Sequence, residues 1–246
     1  MEIMKKILLI IVLIYSYLPL WAGNIYVVSV GIAGYKNIPS LRLPEKDAKA
    51  LAALYKKKTK NVILITGKYA NKSNIIKSLK SQFARANRDD MIVFSFSGHG
   101  YQGGFCPYDM TNNLNSGLSY DEIYGILKQS KAKQKIILAD ACFSGGLRTD
   151  GTQQANQQKF NTNIILFLSS RTGESSIESP FMVNGYFTTF LLNGLKGSAD
   201  TDRNKIITAK ELYHYVSLKV KDKSKNRQHP VMWGNFDDNT IIIDWR

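Results

Sequence analysis

Apolar residues fall along the chain in two alternating rhythms. Short, nearly unbroken apolar runs rich in Val and Ile occur at Asn24–Gly31, Asn61–Thr66, Met91–Phe96, Lys135–Ala139, Asn163–Leu168 and Thr240–Asp244. Runs of that length without polar alternation predict strands covered on both faces. Between them the period lengthens to that of a helix. Pro44–Tyr55 carries Ala48, Leu51, Ala52 and Tyr55 on one stripe, and Ser73–Ala86 carries Ile76, Leu79 and Phe83. Ser119 with Glu122, and Thr208 with Glu211, stand at capping-box spacing before helices reaching about Lys128 and Lys221, and Tyr186–Leu195 adds a fifth. Six strands interleaved with five helices predict one three-layer α/β domain on a mostly parallel sheet. Tyr101–Gly117 and Phe143–Thr162, rich in Gly, Asn, Gln and Thr, fit neither rhythm and are expected to be long loops.

The first two dozen residues differ from the rest. Lys5 and Lys6 precede an apolar run from Ile7 to Tyr15, and Ala22 follows Pro19 and Trp21. A basic start, a short apolar stretch and a small residue predict a signal peptide over residues 1–22, with a mature domain of 23–246 exported to a periplasm or beyond the cell. An uncleaved anchor is the alternative, although the run is short for a span. The full chain carries a formal charge of +14, and losing residues 1–22 lowers it by one. Much of the charge lies in Lys56, Lys57, Lys58 and Lys60, and in Lys219, Lys221, Lys223, Lys225 and Arg227. Neither run has interleaved aromatic residues to stack bases, which argues against nucleic acid and leaves a solvated face or contact with an anionic surface such as lipid head groups or polysaccharide.

Candidate chemistry appears where two predicted strands end. The third runs into Ser97-Gly98-His99-Gly100 and the fourth into Asp140-Ala141-Cys142-Phe143-Ser144-Gly145-Gly146. Adjacent strands would bring imidazole and thiol to one edge of the sheet, where functional residues of α/β domains collect. A thiol needs a neighbouring base to become a useful nucleophile, and the same His can protonate the leaving amine. Backbone amides of Gly100 and Cys142 could hold the oxyanion of the tetrahedral intermediate. Asp140 and Cys142 are two apart on a strand and share a face, so a carboxylate suited to a cationic side chain stands beside the nucleophile. The other cysteine, Cys106, leaves a disulfide with Cys142 as the competing reading for an exported chain with two cysteines.

The SGHG and DACFSG segments resemble the motifs of caspase-like cysteine peptidases, and more closely the metacaspase-like branch, whose Cys motif has the form D-x-C-x-S-G. His99 precedes Cys142 by 43 positions, near the roughly 50 of caspases. The resemblance extends from about Asn24 to Arg246 and implies a six-stranded caspase-like fold, peptide or protein substrates and a His99–Cys142 dyad. It also implies that Asp140, Asp47 of the Asp47-Ala48 pair and Ser97 line a pocket for Arg or Lys at P1, the residue before the scissile bond. Members of the family are often cut in the linker after the nucleophile, which here offers Arg148 and Lys159. A homologue without activity, using the cleft to bind a peptide or a surface, is the alternative.

Calcium dependence is common in the metacaspase branch, but Asp109, Asp121 and Asp150 are scattered and form no evident ligand set. Residues 200–211 fill positions one, three, five, nine and twelve of an EF-hand loop with Asp200, Asp202, Asn204, Thr208 and Glu211, but Lys205 replaces the Gly of position six. An Asp/Asn turn followed by the Thr208–Glu211 capping box explains the same residues without a metal and is preferred. No cofactor is required by this reading.

Overall fold

The computed structural model describes residues 23–101, 103–141, 163–170, 184–234 and 236–246. In chain order the elements are β1 (Ile25–Gly31), α1 (Pro44–Tyr55), β2 (Val62–Thr66), α2 (Lys72–Phe83), β3 (Met91–Gly98), β4 (Gly100–Tyr101), β5 (Gly104–Phe105) and β6 (Leu118–Ser119). They continue with α3 (Tyr120–Gln129), β7 (Gln134–Ala141), β8 (Ile164–Leu168), α4 (Tyr186–Asn193), β9 (Ile206–Thr208), α5 (Ala209–Lys223), β10 (Val231–Trp233) and β11 (Ile241–Asp244). The central sheet has the order β10-β8-β7-β3-β1-β2, with every pair parallel except β10 on β8.

Alternate side chains of the buried strands feed two cores. Val28, Val30, Phe94, Phe96, Ile137 and Ala139 pack under α2 and α3 on one face. Val27, Val93, Ile136, Leu138, Ile165 and Phe167 pack against α1, α4 and α5 on the other. The expected α/β fold with a mostly parallel six-stranded sheet and helices on both faces is therefore present. The stripe of α2 centres on Ile75, Leu79 and Phe83, which are fully buried, while Ile76 is only partly so.

Two expectations are corrected. Thr240–Asp244 does not supply the sixth strand of the central sheet, because Ile241–Asp244 pairs antiparallel with β9 in a separate two-stranded ribbon. Its buried Ile242 and Ile243 join the α5 side of the core without entering the sheet. The sixth strand is the three-residue β10, too short for its apolar pattern to stand out. Tyr101–Gly117 is also not structureless: β4, β5 and β6 form a three-stranded antiparallel ribbon whose Phe105 stacks on Phe96 with ring centroids 4.4 Å apart. Both capping boxes, Ser119–Glu122 and Thr208–Glu211, are formed.

One close approach positions the edge where the candidate residues lie. A Cβ on Gly31 would come within 2.3 Å of the Pro44 carbonyl oxygen and 2.6 Å of the Ala48 Cβ, so α1 can rest against the end of β1 only because that residue is glycine. A buried polar rung fixes the same helix: Ser95 Oγ donates to Ser29 Oγ (2.8 Å), which donates to the Ala48 carbonyl (3.0 Å). Asp47, one residue before Ala48, is thereby held over the sheet edge.

Candidate active site

The parallel register aligns the two motif-bearing strands residue by residue. On β3 and β7, Ser97 stands opposite Asp140 and Gly98 opposite Ala141. His99 follows the first strand directly, and Cys142 is the next residue after the second. Cys142 lies outside the described residues, as do Arg148, Asp150 and Lys159 of the following segment.

His99 is half-buried and held from two sides. Its backbone N–H donates to the Tyr35 hydroxyl (2.7 Å), and its ring lies 5.1 Å from the Tyr35 ring. Its Nε2 is 2.9 Å from the Pro39 carbonyl oxygen. A carbonyl can only accept, so Nε2 carries the proton in the neutral ring and Nδ1 presents its lone pair. That contact leaves Nδ1 as the ring's acceptor atom. Burial pushes the Tyr35 phenol far above its ordinary range, so it remains a neutral hydrogen-bonding group.

Gly100, the oxyanion candidate of the sequence, opens the β4–β5 ribbon. The Cys106 N–H donates to the His99 carbonyl (2.9 Å), linking the residue just before β4 to the one just after β5, while the His99 N–H is taken by Tyr35. The next pair, Gly100 and Phe105, is then non-hydrogen-bonded, and the Gly100 N–H points away from β5. Cys106 is free and buried, and burial pushes its thiol up to about 11. That is the environment of an inert, structural thiol.

Asp47, Ser97 and Asp140 are brought together, all buried, from α1, β3 and β7. Ser97 Oγ donates to Asp47 Oδ2 (3.0 Å), while Asp47 Oδ1 accepts from the Asn184 amide (2.7 Å) and the Gly185 N–H (3.3 Å). Asp140 Oδ2 accepts from the Thr188 N–H (3.2 Å) and hydroxyl (2.7 Å). A cavity of about 20 Å³ lies among Asp47, Ser97, Asp140 and Thr188 over the apolar floor of Leu138 and Phe187, room for one water. Burial, aided by the nearby negative charge of Asp140, raises the Asp47 pKa to about 7 against the opposing hydrogen bonds.

The Peptidase_C14 caspase-domain family model matches residues 26–240. The chain belongs to that family. Caspase-domain membership supports a cysteine peptidase in general terms. The crystal structure of a Geobacter sulfurreducens protein, a structural-genomics target, superposes with a TM-score of 0.67 at 17% identity, covering 90% of this chain and 98% of that one. At that identity the likeness concerns the fold. No curated protein matches the chain at a significant level.

Several residues of this caspase-domain site escaped the sequence reading. The Pro39 carbonyl and Tyr35 lie in the loop after β1, and no motif marks a main-chain oxygen. Asn184, Gly185 and Thr188 form the start of α4, whose N-cap Gly185 has no side chain to cap it. An Asn-Gly before a helix without a good N-cap was the signal that its first N–H groups needed a carboxylate from elsewhere. Among the calcium candidates, Asp109 accepts the Lys72 N–H and Asp121 lies in the first turn of α3. Asp200, Asp202 and Glu211 do converge, with one oxygen of each within 4.8 Å of the others. Those oxygens are engaged by the loop itself: Asp200 accepts from the Asn204 and Lys205 N–H groups, and Glu211 from Thr201 and Thr208.

The raised Asp47 pKa gives a stability prediction. An unfolded Asp releases its proton near pH 4, whereas folded Asp47 holds it until about 7, so the group lowers stability as pH rises through that window and by a constant amount above it. Asp47→Asn keeps the acceptor for Asn184, and the Ser97 hydroxyl can turn to accept. The variant should match wild type near pH 4 and exceed it by on the order of 2–4 kcal/mol at pH 8. Urea midpoints at the two pH values check this; a variant less stable at pH 8 contradicts it.

Proposed function

We propose that the chain is an exported cysteine endopeptidase that cleaves after Arg or Lys, with Cys142 as nucleophile and His99 as its base. The observation that supports this most is the register of β3 and β7, which leaves His99 and Cys142 each one residue beyond paired strand ends. His99 Nδ1 takes the thiol proton, and the thiolate attacks the scissile carbonyl carbon. The Gly100 and Cys142 N–H groups hold the resulting oxyanion. The imidazolium then protonates the leaving amine, and water, activated by the same ring, hydrolyses the thioester. The Pro39 carbonyl keeps the ring oriented through both proton transfers.

The P1 cation is assigned to Asp47 and Asp140, with Ser97 at the rim. Two carboxylates so close, one retaining its proton until about pH 7, favour a guanidinium or ammonium that neutralises both. In the geometry at hand the Asn184 amide and the Thr188 hydroxyl occupy the acceptor sites that such a group would take, and the enclosed space holds only a water. A P1 side chain would displace the Asn184 amide. The same bonds let Asp140 cap α4 from outside the helix, so a purely structural role competes with the pocket.

A peptide pair separates them. The ratio of kcat/KM on a P1-Arg peptide to that on a P1-Ala peptide cancels the pH dependence common to both substrates, and should rise as pH passes through about 7, where Asp47 ionises. Asp140→Ala should lower that ratio about 10- to 100-fold, the worth of a charge-assisted hydrogen bond. A flat ratio together with equal losses on both peptides would leave Asp140 a helix cap and remove the pocket.

Self-cleavage is the second expectation. Residues 143–162 contain Arg148 and Lys159, and an enzyme of basic P1 preference would accept either. Wild-type protein should yield two co-purifying fragments after one of them, while Cys142→Ala stays whole. Intact-mass analysis decides it: a wild-type chain that stays whole at active pH excludes self-processing, and fragmentation of Cys142→Ala shows another protease at work. A caspase-domain protein that binds without cleaving would leave both peptides intact.

A further inference from the structure

The helices α1, α2 and α3 run against the strands, so their C-termini emerge at the sheet edge opposite His99. That edge is strongly basic. Lys56, Lys57, Lys60, Arg88, Lys131 and Lys133 are all exposed there, and among the described residues none of them is ion-paired with a carboxylate. Asn61, next to Lys60, accepts from Arg85, and the Arg88 carbonyl accepts the Lys133 N–H (3.1 Å), which joins the cations into one face. Helix dipoles account for Lys56 and Lys57, which directly follow α1. They do not account for Arg88 and Lys133, which lie beyond the last turns of α2 and α3, where the effect has faded. Arg88, Lys131, Lys133 and Lys135 line a hollow of about 530 Å³ in which, among the described residues, Asp89 is the one carboxylate.

The chain enters the fold at this same face. The Asn24 N–H donates to Asp90 Oδ1 (2.7 Å), and a Cβ on Gly23 would meet the Asp89 carbonyl oxygen. Gly23, the first described residue, therefore lies against Asp89, next to Arg88. In sequence the preceding stretch is the apolar run Ile7–Tyr15 behind Lys5 and Lys6. A chain delivered to a membrane by that run presents this face to the bilayer first.

We propose that the face around Gly23, with Arg88, Lys131 and Lys133 at its centre, docks on an anionic phospholipid bilayer. Each basic side chain near an anionic surface contributes about 1 kcal/mol, or roughly fivefold in affinity, and the hollow is concave enough to admit phosphate head groups. Among the described residues no aromatic side chain lines it to stack a base. Docking in this orientation turns His99 and the acid pair away from the membrane, on the order of 25 Å distant along the strands, toward protein substrates in the aqueous phase.

The test is vesicle flotation. Both cores lie between Ile25 and Ile243, so the chain from Gly23 to Arg246 retains them and removes the apolar run as a confounding anchor. It should float with phosphatidylcholine vesicles containing phosphatidylglycerol and not with phosphatidylcholine alone, and added salt should release it. Arg88→Gln/Lys131→Gln/Lys133→Gln should weaken binding on the order of 100-fold. Lys219→Gln/Lys221→Gln/Lys223→Gln, an equal charge loss at the end of α5 near the catalytic edge, should leave it nearly unchanged. Equal weakening in the two triple variants would reduce the effect to net charge. Retention on heparin or DNA without vesicle binding would assign the face to another polyanion, and either result overturns the proposal.

Discussion

Two carboxylates buried at the sheet edge determine how this end of the molecule is assembled. Asp47 on α1 and Asp140 on β7 are held out of water with hydrogen bonds supplied, among the described residues, by Ser97, Asn184, Gly185 and Thr188. The donors in turn need the acids, since the first N–H groups of α4 have no capping side chain of their own. The pair therefore ties α1 and α4 to the strands that carry the catalytic candidates. Its cost is visible in Asp47, whose pKa is raised to about 7 chiefly by burial. Groups that lower stability in this way are found where function needs charge out of water.

The division of the surface follows from the parallel sheet. Because all strands of the central sheet but β10 run in one direction, strand C-termini and the start of α1 gather His99, Gly100 and the acids at one edge, while the ends of α1, α2 and α3 gather cations at the other. Chain polarity thus separates a proposed site of chemistry from a proposed site of attachment. The strongly basic composition, uninformative when summed, becomes specific once residues as distant in sequence as Lys60, Arg88 and Lys133 are seen on one face.

The sheet was legible in the sequence because its strands are buried on both faces and read as unbroken apolar runs, as in IYVVSVG of β1 and MIVFSF of β3. The helices were legible from their stripes and from the Ser119 and Thr208 capping boxes. What escaped were elements whose burial has another origin: β10 is three residues long, and Ile242 and Ile243 are as apolar as any sheet strand while pairing elsewhere. At the site, Asp47, Ser97 and Asp140 could be named because side chains carry identity, and they do converge. The Pro39 carbonyl could not, because the group that orients His99 is main chain, and its position depends on a loop pinned by Tyr35 and by the Leu41 N–H donating to Ala33. Asn184 and Thr188 were hidden for a related reason, since each acts on an acid more than 40 residues away.

The central claim is that Cys142 is a thiolate nucleophile activated by His99 beside a pocket for a basic side chain. The most direct measurement is covalent labelling with a peptidyl electrophile carrying Arg at P1, with the modified residue located by mass spectrometry. The account predicts modification of Cys142 alone, faster than with an otherwise identical Asp reagent, and lost in His99→Ala. Labelling of Cys106 in place of Cys142, or of Cys142 at the same rate with and without His99, would contradict it.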